Sequence, residues 1–119
     1  MITQEDIDAF KEDDWPMDMD TYQRKAKTTA IYPKEVSVIY PALGLAGEAG
    51  EVANKVKKLL RDHNLDKEAI KSELGDCLWY IAILADDLGA TMSNIASKNL
   101  EKLGRRKAKG TLNGNGDER

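Results

Sequence analysis

The chain has 119 residues, of which 41% are hydrophobic and 33% charged, with a formal net charge of −3; that is enough for one hydrophobic core and too little for two. A single cysteine, Cys77, and a single histidine, His63, exclude an intramolecular disulfide and a Cys/His zinc site. No apolar run approaches the roughly 18 residues of a membrane span, and the Met-Ile-Thr-Gln-Glu-Asp start lacks the basic and apolar blocks of a signal peptide, so a cytoplasmic protein without membrane association is expected.

Charge is unevenly spread along the chain. Residues 1–20 hold eight acids against Lys11, and residues 98–109 hold six bases against Glu101. The basic stretch has two readings: a solvated helix end complementing the macrodipole, or an anion-binding surface.

Taken in order, residues 3–14 read as a short helix begun by Thr3, with Ile7 and Phe10 inward and Trp15-Pro16 as its stop. Asp20 followed by Gln23 resembles a capping box and predicts a helix over about 21–31, ended before Tyr32-Pro33. A long helix is expected from near Pro41 to Asp62, with residues 36–40 as a lead-in or as a segment kinked at the proline, and with His63-Asn64 as its C-terminal cap. Asp66 opens a helix from about Lys67 to Leu88 that Gly89 ends, and Thr91 caps a last one carrying Met92, Ile95, Ala96, Asn99 and Leu103. Nothing reads as a strand. The expected fold is all-α, a four-helix bundle with a short N-terminal helix, forming one domain over residues 1–119. Its core spans about 20–104, and the glycine-rich stretch 105–119 reads as an irregular, flexible tail.

Two acidic pairs carry most of the chemical information: Glu48 and Glu51 on the long helix, and Glu73 and Asp76 on the next. Carboxylates three residues apart leave the same side of a helix with Cβ atoms roughly 5–6 Å apart. Two such helices lying antiparallel converge four anionic donors on one point. On a 100° wheel, Leu45, Val52, Val56 and Leu59 form one apolar stripe and Ile70, Leu74, Leu78, Ile81 and Leu88 another; if the stripes pack together, the acids meet at the edge of the seam. Like charges in a partly desolvated site disfavour ionisation, so a cation must neutralise them. Mg²⁺ suits all-oxygen ligation shared between carboxylates, water and phosphates. The competing reading makes Glu51 and Lys55 an ordinary i,i+4 surface pair and leaves Glu73 and Asp76 in solvent.

Gly44, Gly47 and Gly50 recur every three residues in the same helix, each costing about 1 kcal/mol relative to alanine. Close approach of another helix or of a ligand would compensate. Trp79 fits burial in a subunit interface as well as stacking on a nucleobase. Other sites fail on spacing: a di-iron bundle wants two Glu-x-x-His pairs, and Asn113-x-Asn115-x-Asp117 lacks the later positions of a calcium loop.

The segments GLAGEAGEVANKVKK, ELGDCLWYIAILADDLG and NLEKLGRRKAKGTLNGNGDER resemble the MazG-like all-α nucleoside triphosphate pyrophosphohydrolases over about residues 20–119. The motif is E-x-x-E on one helix and E-x-x-D on the next, here Glu48, Glu51, Glu73 and Asp76; many members carry a further glutamate where this chain has Gly47. The resemblance implies hydrolysis of a nucleoside or deoxynucleoside triphosphate between the α and β phosphates, giving the monophosphate and pyrophosphate. It implies Mg²⁺, with Mn²⁺ as a substitute, on the four acids, and Glu51 as the group that accepts the water's proton. It also implies phosphate contacts from Lys55, Lys58, Asn99, Lys102 and Arg106, a homodimer or homotetramer, and no direct binding of nucleic acid. The tail then either closes over substrate or reaches a neighbouring subunit. A lone unit of this size would expose Tyr32, Ile39, Tyr40 and Trp79. The alternative function is a non-catalytic helical module that binds nucleotide or a protein partner.

Overall fold

Asp18, Asp66 and Thr91 each place a side-chain oxygen on a backbone amide three residues on, and each thereby starts a helix. The computed structural model describes residues 3–8 and 16–119, and every regular element among them is helical. In chain order these are α1 (Gln4–Asp8), α2 (Met19–Lys27), a 3-10 turn (Lys34–Val36), α3 (Ile39–Asp62), α4 (Lys67–Asp87) and α5 (Met92–Lys109). The all-α expectation holds. No helix among the described residues is long and apolar enough to cross a membrane.

Several boundaries differ from the sequence reading. Asp18, not Asp20, caps α2, accepting from the Thr21 amide at 2.7 Å. Asp20 sits inside the first turn and instead accepts from Ser93 N at 2.9 Å. Pro41 falls in the first turn of α3, where a missing N–H costs nothing, so the helix continues through it without the need of a separate segment. The last helix passes through Gly104 and ends at Lys109, with Gly110 in the left-handed conformation, so the irregular stretch begins at Gly110. His63 (φ 55°) and Gly89 (φ 76°) end their helices as expected. Of the expected N-terminal helix, Gln4–Asp8 is helical and Ile7 is exposed; Phe10 and Trp15 lie outside the described residues.

The turn at residues 63–66 folds α4 back along α3. At the far end of this hairpin Asp87 accepts from the Val38 amide at 2.9 Å and from the Tyr32 hydroxyl at 2.7 Å. The seam is not the pair of apolar stripes expected. On α4, Ile70, Glu73, Cys77, Tyr80, Leu84 and Asp87 make a half-buried row, whereas Leu74, Leu78 and Ile81, and Leu88 at its C-cap, remain exposed. On α3, Pro41 is buried and Gly44, Leu45, Glu48 and Val52 are half-buried, while Val56 and Leu59 are exposed. The Tyr80 ring lies directly over Gly44, where any Cβ would collide with it, and that fit fixes the roll of α4. Gly47, Gly50 and Gly75 face open space within the chain, so the helix approach expected around all of these glycines occurs at Gly44 alone.

Among the described residues the buried hydrophobic core is Ala26, Ala82, Ile83, Ala85 and Met92, with Tyr22 packed against Ala82, Ala85 and Met92. At their edge lies Gln23, 6% exposed. Its Nε2 donates to Ala82 O and Ala90 O, both at 3.0 Å, and its Oε1 accepts from Met92 N at 3.1 Å. One amide therefore joins α2, α4 and α5. Removing it strands the buried Met92 amide and the part-buried Ala90 carbonyl, an unsatisfied buried group costing about 1–3 kcal/mol. Gln23→Ala is expected to lower unfolding free energy by about 2–4 kcal/mol, read as a shift in urea midpoint at unchanged slope.

Candidate metal centre

Glu48 lies in the middle of α3, on the face turned toward α4, and the seam spacing of α4 sets Glu73 opposite it. Asp76, three residues further along α4, completes a group whose ligand oxygens lie within 4.8 Å of one another. Glu48 and Glu73 are half-buried and Asp76 is exposed, so the group opens from the seam to solvent. The acids meet within the seam as well as at its edge.

The geometry is electrostatically unfavourable as it stands. Glu48 is pushed above its ordinary value near 4.5, first because its carboxyl hydrogen-bonds Glu73, then through partial desolvation and the charges of Asp76, Glu73 and Glu51. A proton shared between two carboxyls is one way to relieve such repulsion; a divalent cation is another. The donor set is all oxygen, which suits a hard ion. An octahedral Mg²⁺ at about 2.1 Å from each ligand spaces its oxygens by up to about 4.2 Å, a span that small side-chain rotations within the 4.8 Å group would reach.

Glu51 is exposed on α3 and stands outside this group, although its charge is felt at Glu48. Lys55 and Lys58 are half-buried further along α3; Lys58 also borders a surface depression of about 350 Å³ with Lys57 and Arg61. Asn99 and Lys102 belong to α5, beside a depression of about 480 Å³ that Lys98 and Arg105 also line. Arg106 is 5% exposed and is held by the chain's own tail, donating to Asp117 O at 3.0 Å and to Asp117 Oδ1 at 3.2 Å. The structure thus gathers Glu48, Glu73 and Asp76, and on α5 joins Lys102 and Arg106 through Asp117.

An aromatic row, which the sequence reading did not assemble, runs from the hairpin mouth to this site. Tyr32 stacks on Tyr40 at 4.7 Å, Tyr40 meets Tyr80 at 6.4 Å, and Trp79 meets Tyr80 edge-on at 5.0 Å. Trp79 is half-buried and donates to Thr29 Oγ1 at 2.7 Å. The Tyr80 hydroxyl is held protonated, chiefly by desolvation and then by Tyr40, Glu48 and Asp76. The signal for this row lay in Gly44, whose missing Cβ admits the Tyr80 ring.

Residues 41–111 match the protein family described as the MazG nucleotide pyrophosphohydrolase domain. The chain is also similar to "Gene 37 protein" of Mycobacterium phage L5, 43% identical over 114 residues, a match covering 87% of this chain and 100% of that relative. No solved structure matches.

Because the fold raises the Glu48 carboxyl above its unfolded value, the protonated form is the one the fold favours. That contribution to stability is complete below the ordinary carboxyl range and is lost as pH rises through the raised value. In metal-free protein the Glu48 share of thermal stability is therefore expected to fall as pH rises from about 4.5, against the opposite trend from Asp18, Asp62 and Asp117, whose carboxyls the fold holds below their ordinary value. Millimolar Mg²⁺ is expected to raise the parent's Tm at pH 7.5, and Glu48→Gln to flatten the pH-dependent loss and to abolish that rise. Thermal melts at pH 4, 6 and 7.5, with Mg²⁺ and with EDTA, measure both effects.

Proposed function

We propose, from the premise that this chain belongs to the MazG nucleotide pyrophosphohydrolase family, that it is a Mg²⁺-dependent enzyme cleaving nucleoside or deoxynucleoside triphosphates between the α and β phosphates. The observation that carries this reading is the convergence of Glu48, Glu73 and Asp76 on the hairpin that the family match spans. A fixed set of hard oxygen donors at a solvent-open seam is what a metal shared with a polyphosphate requires.

Glu48, Glu51, Glu73 and Asp76 would hold the ion, Glu51 only in part, since it stands exposed outside the group the other three form. When bound, Mg²⁺ supplies charge neutralisation for the triphosphate and for the pyrophosphate leaving group, and makes a coordinated water more acidic. The Glu51 carboxylate, free of the seam, accepts the proton of the water that attacks the α-phosphorus. As the water oxygen bonds to phosphorus, the bond to the β-phosphate's bridging oxygen breaks. Lys55 and Lys58 extend the same helix with positive charge toward the outer phosphates, and Asn99, Lys102 and Arg106 supply further contacts from α5. Mn²⁺ substitutes for Mg²⁺ in this scheme. The surroundings are cytoplasmic.

A second copy of the chain completes the assembly as a homodimer or homotetramer. Leu43 (70% exposed), Leu60 (81%) and Leu100 (69%) stand open on helices that bury few hydrophobic side chains among the described residues. Leu43, Gly47 and Gly50 fall on one face of α3, and the two glycines leave that face bare for close contact.

The activity is tested by incubating purified protein with each NTP and dNTP, with Mg²⁺ or EDTA. Monophosphate and pyrophosphate are expected only with Mg²⁺, and Asp76→Asn is expected to lower turnover by about 100-fold or more with helix content intact. Release of inorganic phosphate and a diphosphate would contradict the proposed bond, and no turnover with any nucleotide would favour a binding module. For the assembly, the double variant Gly47→Ala, Gly50→Ala distinguishes a free face from a packed one. On a free face each alanine adds about 0.5–1 kcal/mol of helix stability. Sedimentation is instead expected to show an oligomer in the parent and a shift toward monomer in the variant.

A further inference from the structure

Lys102 and Arg106 lie four residues apart on α5 and converge on a single carboxylate oxygen. Lys102 Nζ and Arg106 Nη2 are each 3.2 Å from Asp117 Oδ1. The tail that brings Asp117 there is folded for the purpose. Gly110 and Gly116, both with positive φ, turn the chain back along α5. Arg119 pins the loop by donating to Thr111 O at 3.0 Å, Gly116 O at 2.6 Å and Leu112 O at 3.3 Å. Two features set this apart from an ordinary surface ion pair. The Arg106 side chain is 6% exposed whereas that of Asp117 is 82% exposed, so the cation is built in and the anion is replaceable. Arg106 Nε is moreover buried without a hydrogen-bond partner, a donor the present arrangement leaves unused.

Arg106 Nη2 also donates to Gly116 O at 3.4 Å and Asp117 O at 3.0 Å, so one nitrogen of the fork meets three tail oxygens, which is a poor match for this pair. Guanidinium presents donors in a fork that suits two oxygens of one phosphate, and a neighbouring ammonium adds a third contact. We infer that Lys102 and Arg106 form a polyphosphate cradle that Asp117 of the tail occupies in substrate's absence, so that anion binding and tail docking exclude one another. The inference rests on the phosphate role given to these two residues above, and it deepens that role by naming an intramolecular competitor. Exchange is cheap, because a pair with so exposed a carboxylate contributes little to stability. Asp117 is held well below the usual carboxylate range by Lys102 and then Arg106, so it stays charged in competition throughout the neutral range.

Inorganic tripolyphosphate, which carries no base and no sugar, is the probe, and EDTA withholds the metal that cleavage of its anhydride bonds would need. Its affinity for the full chain is measured by calorimetry in EDTA, and amide exchange is followed over residues 110–119. In the parent, tripolyphosphate is expected to speed exchange in the tail. Asp117→Ala is expected to bind it about threefold to tenfold more tightly, and Lys102→Ala to weaken it. Glu118→Ala makes the same charge change one residue away, and is expected to alter affinity less than twofold. Equal affinity in the parent and Asp117→Ala, or tail exchange indifferent to tripolyphosphate, would overturn the inference. The metal-free probe keeps the two proposals separable: loss of tail protection without any nucleotide turnover leaves the cradle standing and removes the hydrolase, and the converse result removes the cradle alone.

Discussion

The carboxamide of Gln23 gives its protons to carbonyl groups at the end of α4 and in the turn beyond it, and takes one from the first amide of α5. Ala90 O and Met92 N sit where one helix has ended and the next begins and so lack intrahelical partners, whereas Ala82 O takes the Gln23 bond in addition to its place in the α4 ladder. With Asp20 capping the neighbouring amide of Ser93 and Lys27 pairing with Asp86 at 3.2 Å, α2 becomes a splint across the α4–α5 corner. The hydrophobic core beneath it is small and alanine-rich, which lets the helices come close but yields modest burial energy per side chain. Directional bonds therefore set the angle of this corner, and through it the pose of the helix that carries Glu73 and Asp76.

Stability and chemistry pull against each other in the seam. A hairpin optimised for its own sake would place leucines where Glu48 and Glu73 stand. The chain instead turns Leu74, Leu78 and Ile81 outward and keeps two carboxyls face to face. An anionic pair at such a position is destabilising until something positive arrives, which is the strain expected of a site kept for binding. The aromatic row beside it is rigid for a different reason: Tyr80 has no room to move above Gly44, and Tyr32 is tied by its hydroxyl to Asp87.

Much of this was legible in the sequence. Helix number, the caps at Asp66 and Thr91, the stops at His63 and Gly89 and the all-α class follow from local chemistry that acts within a few residues. The pairing of Glu48 with Glu73 and Asp76 followed from three-residue spacing. The roll of α4 did not. Two adjoining faces of that helix are both apolar enough to serve as its inner side, and only the fit of one ring over one glycine separates them. Gln23 read as half of a local capping box because sequence spacing cannot reveal partners almost sixty or seventy positions away. Arg106 read as a phosphate contact with no carboxylate partner for the same reason: that partner lies in a tail whose composition suggested no order.

The start of α3 carries a last consequence. Val38 adopts φ 69° and ψ −52°, with Ile39 N bonded to Ser37 O at 2.8 Å, a tight reversal that a β-branched residue enters only at a cost. Asp87 holds it there through the Val38 amide, so the phase of α3 is set at its first residue by a group on α4. Between that anchor and Glu48 the helix behaves as a rigid screw, advancing about 1.5 Å and 100° for each residue. Adding or removing one residue in residues 39–47 would swing Glu48 a quarter-turn or more away from Glu73, and two would carry it to the opposite side. A seven-residue change restores the direction to within about 20° but displaces the carboxyl by roughly 10 Å. Length in this short segment is therefore as constrained as the identity of the acid it delivers.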